Sequence, residues 1–272
     1  MWRTYAPLCH RAGLSRKRQQ NRFLKVCIFT PRPLCASIET GDEMKKILFT
    51  ASLILPLVLA VLWQLLWAEQ VNYYIICVAV LVLSMLPFFI SFEAKRVTAR
   101  ELTLTATLIA LAVISRAAFY LIPQVKPIAA VVIVSAVCLG AERGYIIGAA
   151  SAFISNFIFG QGIHTPFQMV ALGLVGFLAG LLFRRLTVNR YTLAAVGFLL
   201  SAVLYGLIVD MSTILVVYGA HITLSGVLSV YATGTLFSAI FGLSTAVFLF
   251  LFGEPFIRKI SRVDTKYGLM NN

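Results

Sequence analysis

The chain lacks a glycine-rich loop closing on Gly-Lys-Ser or Gly-Lys-Thr, so the sequence offers no nucleotide-driven engine. It has only three histidines, none paired on a helix, and His164 has no second ligand at metal-binding spacing. No Ser-His-Asp set lies where the order of apolar spans would bring it together, which argues against a hydrolase. The five cysteines show neither metal nor redox spacing, so a disulfide framework is not expected. Cys77 and Cys138 fall inside apolar runs, where cysteine is a small packing residue. No cofactor or metal site is expected.

Charge is also scarce, at 12% of residues, whereas 60% are hydrophobic and the mean hydropathy is +0.91. Those values leave no soluble alternative and predict an all-α integral membrane protein. Eight apolar stretches are candidate spans, over residues 47–68, 72–92, 102–121, 127–140, 144–159, 167–183, 191–209 and 231–253. A bilayer core of about 30 Å needs about 20 helical residues, so the fourth and fifth spans are short.

The distribution of positive charge orients these spans. With residue 44 in the cytoplasm, the inside ends carry Lys45, Lys46, Lys95, Arg96, Arg100, Arg143, Arg184, Arg185, Arg190, Arg258, Lys259, Arg262 and Lys266. Outside loops carry only Lys126. This bias predicts a multi-pass cell-membrane protein with both termini cytoplasmic. The formal charge of +13 then reflects topology and the N-terminal tail, not nucleic-acid binding, and a basic rim suits anionic lipid headgroups.

Three segments are expected. Residues 1–43 hold eight of the 23 basic residues and no apolar run long enough to span or to serve as a signal peptide. They read as a disordered basic tail, or as upstream sequence before a true start at Met44. Residues 44–97 read as a transmembrane hairpin, with Trp63 and Trp67 as interfacial anchors and Glu93 beside Lys95 and Arg96 at the cytoplasmic border. Residues 98–272 read as a six-helix membrane domain, the candidate for any substrate site because polar groups collect there. There small residues recur at helical spacing (Ala106 and Ala110, Gly144 and Gly148, Gly173, Gly176 and Gly180), which allows close helix packing in lipid.

Polar chemistry collects at the outer ends of these six helices. Arg116 lies inside a span and either snorkels to the interface or lines an outward cavity with Tyr120, Gln124 and Lys126. Pro123 and Pro127 stiffen the loop between them. A second collection runs from Ser155 to Gln168. In it Asn156 needs buried hydrogen-bond partners, Gly160 and Gly162 permit a tight loop, and Thr165 is a plausible cap before Pro166. Gln161, His164, Phe167 and Gln168 complete the candidate wall, with His164 as a hydrogen-bonding residue. A third runs from Asp210 to Tyr231 as a re-entrant or interfacial helix plus a loop, and contains Tyr218 and His221. Asp210 pairs with Arg116 or Lys126, or faces water; the sequence leaves this open. Tyr120, Phe157, Phe167, Tyr218 and Tyr231 are the aromatic groups expected to face a flat or bulky ligand.

Two motif groups resemble a known family. The Ala106-xxx-Ala110 helix, the Pro123-Gln124-Val125-Lys126-Pro127 loop and the segment Phe159-Gly160-Gln161-Gly162-Ile163-His164-Thr165-Pro166-Phe167-Gln168-Met169 are similar to the S component of energy-coupling factor (ECF) vitamin importers. Leu243-Ser244-Thr245, Gly253-Glu254-Pro255, Lys259 and Lys266-Tyr267-Gly268-Leu269 resemble the family's ending. The resemblance runs from about Thr98 to Leu269 and looks closest to the cobalamin branch. It implies a subunit, not an enzyme, that binds a vitamin in an outward pocket. It further implies docking on a membrane-embedded T component driven by two ATPases, with toppling to deliver the ligand. Ala106 and Ala110 would face the T component. The chain departs in its extra N-terminal hairpin, and in Ser238 and Phe241, where the cobalamin-branch ending carries Asn and His. The alternative from a different class is a self-sufficient, ion-coupled secondary transporter of a small polar solute. It predicts inverted repeats and broken midplane helices, and the sequence shows no such repeat.

Overall fold

A computed structural model describes residues 99–162, 164–218 and 223–267. The tail, the hairpin over 44–97, Met44 and His221 lie outside the described residues, so the expected eight-span count reaches beyond them. Within the described residues all regular structure is helical. Helix α1 is Ala99–Ala118, α2 Ile128–Leu139, α3 Ala141–Phe159 and α4 Thr165–Leu182. Helix α5 joins Arg190–Leu199, a π-helical stretch Leu200–Tyr205 and Gly206–Tyr218. Helix α6 joins Leu224–Phe248, a π-helical stretch Leu249–Gly253 and Glu254–Tyr267.

Four of these, α1, α4, α5 and α6, are long and apolar enough to cross a membrane. Helix α2 has twelve residues, about 18 Å at 1.5 Å per residue, well short of a bilayer core of about 30 Å. Nine of the twelve are buried. A short helix is tolerated there because protein, not lipid, surrounds its ends. Gly140 then reverses the chain into α3 at φ +97°, a left-handed conformation that glycine adopts without Cβ strain.

Close contacts set the directions of the helices. Glu101 pairs with Arg143 near the start of α1 and α3, while Arg116 meets Asn156 near their ends, so these two helices run parallel. Helix α4 runs back along α3: a Cβ on Gly144 would strike the Gly176 carbonyl, and one on Gly148 the Leu172 carbonyl. A second antiparallel contact joins α5 and α6. Gly234, Ser238 and Gly242 of α6 lie against Asp210, Gly206 and Ala202 of α5 in matching four-residue steps. Small side chains at this spacing let backbones approach closely where lipid supplies no hydrophobic drive.

The result is a two-ended bundle. Arg143, Arg190 and Arg258 lie at one end, where Glu254 accepts from the Arg190 backbone N–H at 3.0 Å and pairs with Arg258. The half next to that end is filled by a dry core that includes Ile133, Ile147, Val175, Leu193 and Leu249, all fully buried. The other half holds a second apolar cluster around Ala129, Ala152, Leu172 and Phe241, and above it the polar groups converge.

The third polar segment is not a re-entrant loop. Helix α5 continues through Asp210 to Tyr218, and α6 begins at Leu224, so only a short connection separates them. Thr223 caps α6 by accepting from the Gly226 N–H. Thr165, expected as a cap, is the first residue of α4, and its hydroxyl accepts from the Gly162 N–H and from Asn156.

Candidate functional site

The far half of the bundle encloses a cavity of about 250 Å³. Arg116 enters it from the last turn of α1, with Gln124 and Lys126 from the following loop. Gln168 and Leu172 come from α4, and Tyr205, Val209 and Asp210 from α5. Phe237, Ser238 and Phe241 close the α6 side. Polar and apolar groups share this wall about equally, so it is more polar than the mostly apolar lining usual for small-molecule sites.

Arg116 is held rather than mobile. Its Nη1 donates to Asn156 Oδ1 at 2.9 Å and to Ser155 Oγ, and the guanidinium stacks on the Phe159 ring at 4.8 Å. Asn156, only 2% exposed, spends its amide on Gln168 Oε1 at 2.9 Å and Thr165 Oγ1 at 3.1 Å. One buried asparagine therefore ties α1 to the start of α4. A charge within a membrane span needs such partners, because an unsatisfied one costs several kcal/mol.

Gln124 sits at φ +59°, unusual for a residue with a Cβ. The strain lies in the loop between α1 and α2, at the cavity wall, where such conformations tend to collect. Lys126 follows in the same loop. Burial pushes its ammonium below the usual lysine range, and the Arg116 guanidinium pushes in the same direction.

Of the residues singled out from sequence, Arg116, Gln124, Lys126, Gln168 and Asp210 meet at the cavity. Asn156 lies behind the wall and positions Arg116 and Gln168. The others lie elsewhere. Tyr120 is 64% exposed and stacks on Phe159 at 5.2 Å; Gln161 donates to the Phe153 carbonyl at 3.1 Å; His164 is exposed beside Gly162. Phe167 is 1% exposed and packs in the core from the first turn of α4, directly after Pro166. Phe157 is exposed, Tyr218 bonds Ser229, and Tyr231 reaches the Leu207 carbonyl. Among the described residues, no direct ion pair joins Asp210 to Arg116 or Lys126. Its carboxylate lies against Gly234, where no Cβ would fit.

The aromatic wall is instead Tyr205, Phe237 and Phe241, with the Tyr205 and Phe241 rings 4.7 Å apart. Tyr205 was hidden inside an unbroken apolar run. It ends the π-helical stretch of α5, and such stretches often mark functional positions.

Among the described residues the bundle has a polar cavity in one half and an apolar core in the other, an arrangement compatible with a solute-binding membrane protein. Within that class, the model of the ECF-type riboflavin transporter S component family matches residues 96–256, more than half of the chain. The chain belongs to that family, and is thus a multi-pass cell-membrane transporter subunit and not an enzyme. No curated protein and no solved structure matches it.

Proposed function

We infer that this chain is the substrate-capture subunit of an ECF-type importer, and that it takes a vitamin-class heterocycle into the cavity beside Arg116. The observation that carries this reading is the two-ended bundle, with its polar cavity in one half and a dry apolar core in the other. A blind cup needs no through-passage, and a binder powered by other subunits needs no nucleotide motif of its own. The basic residues at the end remote from the cavity favour a cup that opens outward, with both termini in the cytoplasm.

The size and lining of the cavity bear on the ligand. A volume of about 250 Å³ lies near the small end of ligand pockets, which usually run from about 300 to 1,000 Å³. A compact heterocycle of the kind named by the family, riboflavin, is closer to this scale than cobalamin. Ser238 and Phe241, where the cobalamin branch carries Asn and His, both face the cavity. Cobalamin, suggested by the loop motifs, therefore ranks below a flavin-sized compound.

Helix α1 supports the reading that the chain docks on a T component. Ala106 and Ala110 are exposed, as are Leu102, Thr103, Thr107 and Leu111 around them. Thr103 and Thr107 bond back to the Ala99 and Thr103 carbonyls, so their hydroxyls place no unmet polar group on this face. Small residues at this spacing suit a T component that must bind and release the helix within lipid. Two ATPases would drive the cycle from the cytoplasmic side.

Mass spectrometry of small molecules co-purifying with the full chain tests the assignment. A heterocycle of flavin-like mass is expected. A corrinoid would restore cobalamin, and an amino acid, sugar or inorganic ion would reject the vitamin class.

A further inference from the structure

Arg116 and Lys126 form a pair of cations on one wall of the cavity, and their placement bears on the charge of the ligand. The Arg116 guanidinium spends Nη1 on Ser155 and Asn156, both uncharged. Among the described residues no acceptor within the chain takes its Nη2 or Nε, and none takes the Lys126 ammonium. The carboxylate that lines the cavity, Asp210, makes no direct ion pair with either and rests against Gly234 on the α6 side.

Two partly desolvated cations side by side repel one another, and among the described residues neither gains a counter-charge for the hydration it has lost. Burial and the neighbouring guanidinium both work against the Lys126 ammonium. Such an arrangement is unfavourable in the empty protein and becomes favourable when an anion enters. Arginine supplies a planar fork for carboxylate or phosphate oxygens, and lysine a point charge beside it. Asn156 fixes the fork and Phe159 covers its face, so the geometry is prepared before a ligand arrives. Asp210, across the cavity, would accept from a ring or amide N–H at the other end of the same molecule.

We propose that the ligand is an anionic heteroaromatic compound, its carboxylate or phosphate held between Arg116 and Lys126 and its flat ring against Tyr205 and Phe241. This rests on the vitamin-capture reading and narrows it: the named flavin is neutral, and its phosphate ester or another anionic heterocycle fits this wall better.

The test compares riboflavin with riboflavin 5′-phosphate, which share one ring system and differ by the phosphate. Quenching of flavin fluorescence by the purified full chain in detergent gives both affinities. The phosphate ester should bind at least tenfold more tightly. That preference should vanish in Arg116→Gln and in Lys126→Gln, with Lys126→Gln keeping the wild-type unfolding midpoint because it lies in a loop. Equal or tighter binding of riboflavin by the wild-type chain overturns the proposal and leaves vitamin capture standing. If neither flavin binds, the charge of the co-purifying compound decides: an anion at neutral pH upholds the anionic site, and a neutral or cationic compound overturns it.

Discussion

Asn156 Oδ1 accepts from Arg116 Nη1 at 2.9 Å, and the same amide donates to the neighbouring wall residue Gln168. Asn156→Ala would leave the guanidinium short of an acceptor and Gln168 short of a donor. Removing a buried partner costs about 1–3 kcal/mol. The expected outcome is a lower unfolding midpoint together with at least tenfold weaker ligand binding. Asn156→Asp should separate the two effects: its carboxylate keeps hold of Arg116 but cancels the charge, so stability recovers more than affinity for an anion does.

The Lys126 ammonium gives the site an alkaline limb. Its proton is held less tightly than that of an ordinary lysine, first because of burial and then because of Arg116. An anionic ligand favours the charged form, so binding draws in a proton at pH values above the lowered pKa. Affinity should be greatest below that value and decline as pH rises through it, earlier than an ordinary lysine would allow. Lys126→Gln should flatten that limb. Titrations of ligand affinity from neutral to alkaline pH measure both.

The crossing of α5 and α6 is set by absent side chains. A Cβ on Gly234 would meet the Asp210 carboxylate, and one on Gly242 would meet Ala202 and the Phe198 carbonyl. Gly234→Ala and Gly242→Ala should each destabilise by about 1–3 kcal/mol, as overpacking does. Only Gly234→Ala should also disturb ligand affinity, because Gly234 lines the cavity and Gly242 does not. Thermal unfolding and binding assays on the same samples separate the two.

Much of this architecture was legible in the residue order. Apolar runs, Gly140 and Pro166 place α1 to α4 within a few residues, and the basic residues predict which ends lie together. The ends of α5 and α6 were not legible, for a physical reason. Ser212 and Ser229 look like loop residues, yet each hydroxyl bonds a carbonyl one turn back in its own helix, at Val209 and Gly226. Such back-bonding hides a hydroxyl inside an apolar helix. The polar half of the cavity follows from charges and amides that need partners. The aromatic half did not stand out, because Tyr205, Phe237 and Phe241 look like ordinary members of apolar helices. Phe167 misled in the opposite sense: it neighbours a polar loop but packs inward.

The exposed alanine row on α1 predicts a separation of functions. Ala106→Arg and Ala110→Arg each place a long charged side chain on this exposed face of small and apolar residues. Uptake in cells that co-express the T component and ATPases should fall to background, while the purified variants bind ligand with wild-type affinity. Loss of binding would show that the substitutions act on the fold, and normal uptake would move the docking surface elsewhere.

The central claim is that this polypeptide captures but does not drive. Reconstituting the full chain alone into sealed proteoliposomes, with labelled ligand outside, tests it most directly. Saturable binding that is indifferent to ATP and to imposed proton or sodium gradients, with no label reaching the lumen, is the predicted result. Accumulation of label inside, dependent on a gradient across the membrane, would contradict it.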